Sequence, residues 1–168
     1  MIALMRQNWV GEMIKPTIML HGFGGLGKTT LADAVFSLLD IQECKYSTVQ
    51  LFKHIDSKPD ITELQRLILR DLAEPGETIP EIRKQEDGQR ELRRMLEKVP
   101  AFIYIDNVLG QDELEQLLPR DINKAKKLRL LLTARDQDIV RRALKVKPVV
   151  CVFWREKYMV RQTTKRNG

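Results

Sequence analysis

The chain is poor in the residues that build cysteine-based sites. Only two cysteines, Cys44 and Cys151, occur among its 168 residues, and they have no CxxC spacing. This pattern indicates neither a zinc site nor a disulfide framework. We also find no Ser-His-Asp or Cys-His set that could support nucleophilic catalysis. These absences exclude several common kinds of small enzyme and small metal-stabilised domain.

Long apolar stretches are missing as well. Residues 1–14 are interrupted by Arg6, Gln7, Asn8 and Glu12, so they predict neither a secretory signal nor a membrane helix. The sequence also contains no internal repeat and no low-complexity tract. We therefore expect a cytoplasmic protein without a membrane span.

Positive charge is concentrated near one end of the chain. The formal net charge is +6, and residues 155–168 hold five basic residues against one acidic residue. The rest of the chain is nearly balanced, so a basic footprint for nucleic acid could lie only in this tail. A solvated chain end explains the same charges. We expect no nucleic-acid partner.

Segments with the pattern of strands alternate with segments that have helical periodicity. Strands are predicted at 16–21, 44–52, 101–105, 128–133 and 148–153, and helices at 28–39, 60–72, 85–98, 111–118 and 136–144. This alternation favours a doubly wound parallel sheet of about five strands. We assign 1–14 to an N-terminal segment, 15–153 to one domain and 154–168 to a basic tail without regular structure.

A glycine-rich segment connects the first predicted strand to the first predicted helix. It is Gly22-Phe23-Gly24-Gly25-Leu26-Gly27-Lys28-Thr29-Thr30. Its Gly-x-x-x-x-Gly-Lys-Thr pattern is that of a phosphate-binding loop, which occurs between a strand and a helix. The alternative is a glycine-rich turn followed by a surface lysine. With the alternating elements, the pattern predicts an α/β fold similar to the P-loop NTPases.

Each residue type in this segment suits polyphosphate binding. The four glycines are Gly22, Gly24, Gly25 and Gly27. Without side chains, they let backbone N–H groups turn toward phosphate oxygens. Lys28 can reach the β- and γ-phosphates, the Thr29 hydroxyl can bind Mg²⁺, and Thr30 can offer its backbone N–H. We predict ADP or ATP with Mg²⁺ as the cofactors.

Two polar residues follow later predicted strands. Asp106 closes strand 101–105, where a carboxylate can hold Mg²⁺ through water, although such an aspartate can also serve a turn or a cap. Arg135 closes the next strand and can contact the γ-phosphate. A salt bridge to Asp136 or Asp138 is its alternative role. We take Asp106 and Arg135 as the candidate catalytic residues, with Thr29 and Asp106 as the candidate metal site.

Three segments together resemble a known family. They are Leu20–Ala32, Phe102–Leu109 and Leu130–Asp136. In this order they are similar to three motifs of the NB-ARC domain of plant disease-resistance receptors: the phosphate loop, an apolar strand ending in Asp-Asp-Val-Trp, and a Thr-Thr-Arg segment. The resemblance covers roughly residues 15–150.

This resemblance implies a signalling switch, in which ADP keeps a receptor off and ATP turns it on. Other receptor chains are then the expected protein partners. Two departures from the family qualify the expectation. Asn107 replaces the second acid, and an amide cannot accept a proton from water, so at most weak ATPase activity is expected. The chain also ends before the family's Gly-Leu-Pro and Met-His-Asp motifs, so we expect the nucleotide subdomain alone.

Two other functions share the same pattern of residues. A small phosphotransferase would need a lid, for which Arg90, Arg93 and Arg94 are candidates. A nucleotide-free fragment could instead pair with full-length receptors through its sheet edge or its basic tail.

Overall fold

The structure is a computed structural model that describes residues 17–38, 45–52, 58–125, 127–145, 149–153 and 158–161. The strands are β1 (Thr17–His21), β2 (Lys45–Gln50), β3 (Ala101–Val108), β4 (Leu128–Ala134), β5 (Val149–Phe153) and β6 (Tyr158–Arg161). The helices are α1 (Lys28–Leu38), α2 (Ile61–Leu72), α3 (Gln85–Lys98), α4 (Gln111–Leu117) and α5 (Gln137–Leu144), with a 3-10 turn at Ile122–Lys124. None of the described helices combines the length and the apolar character needed to cross a membrane.

The strands form one sheet in the order β2-β3-β4-β1-β5-β6. The strands β1 to β5 are parallel to one another, which confirms the predicted parallel sheet. Strand β6 pairs antiparallel with β5 and lies within 154–168, where the sequence predicted no regular structure. A strand of four residues is too short for a periodic pattern, and its pairing groups come from β5. The rest of that segment, and residues 1–14, lie outside the described residues.

The main core lies between one face of the sheet and the helices α2, α3, α4 and α5. Alternate strand residues such as Met19, Ile103 and Leu132 belong to this cluster and are fully buried. Because successive side chains of a strand point to opposite faces, Leu20 and Tyr104 lie on the other face, where they are also buried. Burial on both faces explains why the central strands are continuous apolar runs.

Helix α2 begins immediately after a capping residue, Asp60. The Asp60 carboxylate accepts a hydrogen bond from the Glu63 amide at 3.0 Å and another from the Thr62 hydroxyl at 2.8 Å. These hydrogen bonds lower the pKa of Asp60 below its ordinary value of 3.8, and the bond from the Glu63 amide has the larger effect. The cap satisfies an amide that the first helical turn leaves without a partner.

A buried glutamine joins α2 to the two helices that follow it. The Gln65 side-chain amide donates to the carbonyls of Gln85, Gln116 and Leu117, at 3.1, 2.9 and 3.3 Å. Gly88 in α3 makes this arrangement possible, because a Cβ at that position would lie 1.9 Å from Gln65 Oε1. A glycine inside a helix costs about 1 kcal/mol relative to alanine. Close packing against Gln65 is the reason for a glycine at this position.

The Gly88→Ala substitution should therefore destabilise the protein despite alanine's better helix propensity. The added methyl group displaces the Gln65 side chain from three carbonyls, and we expect a net loss of about 1–2 kcal/mol in the free energy of unfolding. Urea denaturation measures this loss. In a Gln65→Ala background the contacts with Oε1 and Cδ disappear and only the Cβ of residue 65 remains, 3.0 Å from the added methyl group, so Gly88→Ala should cost much less. An equal loss in both backgrounds would contradict the proposed contact.

Candidate phosphate- and metal-binding site

The glycine-rich segment turns sharply between β1 and α1. Gly25 and Gly27 have φ angles of 77° and 76°, in the left-handed region that side chains disfavour. Gly22 is buried at the end of β1, whereas Gly24 is exposed. The backbone therefore follows a path that other residues would adopt only under strain, as the sequence predicted for a phosphate-binding loop.

The N-terminus of α1 offers free backbone donors next to this loop. The first helical hydrogen bond runs from the Leu31 amide to the Gly27 carbonyl at 2.9 Å. The amides of Lys28, Thr29 and Thr30 precede it and have no acceptor within the helix. Together with the positive end of the helix dipole, they form a site suited to an anion.

The Lys28 ammonium group lies over the loop from which it emerges. Its Nζ donates to the Gly22 carbonyl at 2.8 Å and to the Phe23 carbonyl at 2.7 Å. An ammonium group has three donors, so one remains for a phosphate oxygen. Burial, followed by the positive charge of Arg135, lowers the pKa of Lys28 below 10.5, while the charge of Asp106 opposes the shift. Two cations and one carboxylate thus meet beside the loop.

Thr29 connects the loop to the end of β3. Its hydroxyl donates to the Asp106 carboxylate, with distances of 3.1 Å to Oδ1 and 3.3 Å to Oδ2. Because the hydroxyl proton goes to Asp106, the lone pairs of Thr29 Oγ1 stay available for a cation. Asp106 itself is only 9% exposed. The structure brings together these two residues, which the sequence predicted as a metal site.

The donor set at this point fits Mg²⁺. A hydroxyl and a carboxylate are hard oxygen ligands, which Mg²⁺ prefers. Within the described part of the chain, no group of three or more His, Cys, Asp or Glu residues could hold a metal ion alone. A Mg²⁺ ion bound here would take its remaining ligands from water and nucleotide phosphates, as is usual for this ion.

Asp106 has two further hydroxyl partners that the sequence analysis did not assign to it. Tyr104 donates to Asp106 Oδ1 at 3.1 Å, and Thr133 donates to the same oxygen. Burial, and then the charge of Asp106, raises the pKa of Tyr104 well above 10.0, so its hydroxyl stays protonated. Strand periodicity could have revealed Tyr104, because residues two apart on a strand share a face. Thr133 could have been found only from the β3–β4 register.

A bulge at the end of β3 fixes the position of Asn107. The β3–β4 register passes from Ile105↔Leu132 to Val108↔Ala134, and Asn107 has a φ of 58°. Its backbone amide donates to Thr133 Oγ1 at 2.8 Å, and its side-chain amide donates to the Phe52 carbonyl at 2.6 Å. Bulges commonly redirect side chains beside functional sites. In this protein Asn107 ties the ends of β2, β3 and β4 together.

Arg135 extends from the end of β4 toward the phosphate loop. A side-chain carbon at Gly24 would lie 3.4 Å from Arg135 Nη2, and the charge of Arg135 acts on Lys28. In the described residues, the alternative ion pairs with Asp136 or Asp138 do not form. Asp136 instead caps α5 by accepting from the Asp138 amide at 2.8 Å, and the Asp138 carboxylate lies 3.7 Å from Arg141. The geometry favours the phosphate-facing role.

The three arginines considered for a lid have other partners. Arg90, Arg93 and Arg94 lie 2.8–2.9 Å from carboxylates of Asp87, Asp121 and Glu91. Two of these ion pairs lie within α3, and the third joins α3 to the start of the 3-10 turn. None of the three involves the phosphate-binding loop.

Comparison with known proteins supports the resemblance found in the sequence. A family model described as the NB-ARC domain matches residues 3–157. Probable disease resistance protein RF45 of Arabidopsis thaliana is 31% identical over 137 residues, covering 79% of this chain and 13% of that protein. Disease resistance protein RUN1 of Vitis rotundifolia is 26% identical over 121 residues, covering 72% of this chain and 9% of that protein. The chain thus spans a small part of these relatives' length.

The fold also matches a more distant protein. The crystal structure of Cdc6p from Pyrobaculum aerophilum aligns with a TM-score of 0.57 at 15% sequence identity, covering 90% of this chain and 43% of that one. At this identity the similarity shows a shared fold and nothing more. With a family match over most of its residues, this chain belongs to the NB-ARC family as a nucleotide-binding module.

Proposed function

We propose that this module is an ADP- and ATP-binding switch of a plant defence receptor, with slow hydrolysis or none. One observation carries the proposal. The loop donors, the Lys28 ammonium and the Thr29–Asp106 pair converge at one edge of the sheet, with Thr29 Oγ1 3.1 Å from Asp106 Oδ1. Backbone amides, a cation and hard oxygen ligands are the groups that bind a nucleotide polyphosphate with Mg²⁺.

Each residue would have a separate task in binding. The Lys28–Thr30 amides and the Lys28 ammonium would surround the β-phosphate, and Thr29 would bind Mg²⁺ directly. Asp106 would hold the ion through water, while Arg135 would contact the terminal phosphate. Bound Mg²⁺ would neutralise phosphate charge. ATP and ADP would then favour different states of the module, because only ATP has a γ-phosphate that can interact with Arg135 and the metal site.

Slow hydrolysis follows from the surroundings of Asn107. An amide cannot act as a general base, and this one is already bonded to the Phe52 carbonyl at 2.6 Å. We infer that ATP remains intact long enough to define a signalling state. The partners that receive the signal would be other receptor chains, as the family resemblance implies.

Saturating Mg-ADP should raise the melting temperature of the protein, and Lys28→Ala should abolish this increase. A ligand at 100 times its Kd stabilises by about 2.7 kcal/mol, which corresponds to roughly 5–10 °C in a domain of this size. Differential scanning fluorimetry measures the shift. Lys127→Ala is the matched control, because Lys127 is exposed and precedes β4 at the opposite edge of the sheet. No increase in the unsubstituted chain would refute nucleotide binding.

Arg135→Gln should weaken binding of ATP more than binding of ADP. A charged hydrogen bond to phosphate contributes about 1.5–3 kcal/mol, so we expect at least a tenfold loss of ATP affinity in isothermal titration calorimetry. Arg141→Gln, which removes a half-buried arginine of α5 that pairs with Asp138, serves as the control. Equal losses for ATP and ADP would show that Arg135 does not distinguish the γ-phosphate.

Asn107→Asp should raise the rate of ATP hydrolysis while lowering the melting temperature. The carboxylate has no proton for the Phe52 carbonyl, so about 1 kcal/mol of hydrogen bonding is lost, but it can accept a proton from water. The control is Asn107→Gly, which tolerates the φ of 58° and introduces no base. It should lower stability without adding turnover. Rapid conversion of ATP to ADP by the unsubstituted chain would contradict slow hydrolysis.

A further inference from the structure

Three hydroxyl groups surround the carboxylate of Asp106. Tyr104 and Thr133 both donate to Oδ1, and Thr29 lies between Oδ1 and Oδ2 at 3.1 and 3.3 Å. Each carboxylate oxygen has about two lone-pair sites. The two buried donors therefore occupy both sites of Oδ1, where Thr29 adds a third contact. Among the described residues, Oδ2 accepts from Thr29 alone.

The direction of these bonds is fixed by their neighbours. Thr133 Oγ1 accepts a hydrogen bond from the Asn107 amide at 2.8 Å, so the hydroxyl proton of Thr133 points toward Asp106. Tyr104 is 1% exposed, and in the described residues Asp106 is its hydrogen-bond acceptor. Neither hydroxyl belongs to the phosphate loop, and both are held by the sheet. The orientation of the Asp106 carboxylate is thus set by β3 and β4.

We propose that Tyr104 and Thr133 are positioning residues that hold Asp106 with Oδ2 facing the Mg²⁺ site. This inference rests on the proposed function, because it assigns a role in Mg²⁺-dependent nucleotide binding. A carboxylate free to rotate would spend part of its time with neither oxygen correctly placed for a metal-bound water. Groups that orient metal-binding residues in this way typically contribute 10- to 100-fold to metal affinity.

Tyr104→Phe tests the proposal because it removes the hydroxyl and keeps the aromatic ring. ADP affinity is measured by calorimetry with saturating Mg²⁺ and with EDTA, and the ratio of the two affinities reports the contribution of the cation. We expect this ratio to fall about tenfold in the variant, while the affinity in EDTA stays unchanged. Tyr46→Phe is the matched control, since Tyr46 is 55% exposed on β2.

Thr133 supplies an independent pair of variants if Tyr104→Phe fails to fold, as judged by circular dichroism. Thr133→Val removes the hydroxyl and should reduce the ratio of ADP affinity in Mg²⁺ to ADP affinity in EDTA. Thr133→Ser keeps the hydroxyl and should preserve this ratio. If the ratio is unchanged in the variants that lack the hydroxyl, this inference is wrong, but the proposed function still stands. Equal losses with and without Mg²⁺ also overturn it, because the hydroxyls would then support the loop rather than the metal site. Failure of the unsubstituted chain to bind ADP overturns the proposed function together with this inference.

Discussion

The bond between Thr29 and Asp106 joins the start of α1 to the end of β3, across 77 residues of sequence. It brings the phosphate-binding loop to the carboxyl edge of the sheet, where Asn107, Thr133 and Arg135 also lie. A cation site formed by two distant segments requires both segments to be held firmly. The parallel sheet provides this support, because β1 and β3 each pair with β4.

The order of elements could be predicted because each follows from a local pattern. The helix at 85–98 has the predicted bounds, and the central strands β1, β3 and β4 occur where mostly apolar runs lie between polar turns. Strand β6 could not be predicted, since four residues carry no periodicity and the strand depends on pairing with β5. The role of Gly88 was also hidden, because it depends on Gln65 in a different helix.

The sequence indicated which residues form the candidate site more readily than which side chains surround them. A phosphate loop has a fixed spacing, so Lys28 and Thr29 were recognisable without coordinates. Asp106 and Arg135 followed from their positions after strands. The hydroxyls of Tyr104 and Thr133 depend on how β3 and β4 align, and the bulge at Asn107 shifts this alignment by one residue. Tertiary register, rather than composition, determines the surroundings of the carboxylate.

The attachment of the Lys28 ammonium group to the Gly22 and Phe23 carbonyls, at 2.8 and 2.7 Å, has a kinetic consequence. These bonds close a ring within the loop and hold its backbone in one conformation before any phosphate arrives. A preorganised loop loses little conformational entropy on binding. It also does not need to refold during an encounter, so the association rate should depend on diffusion and charge rather than on loop closure.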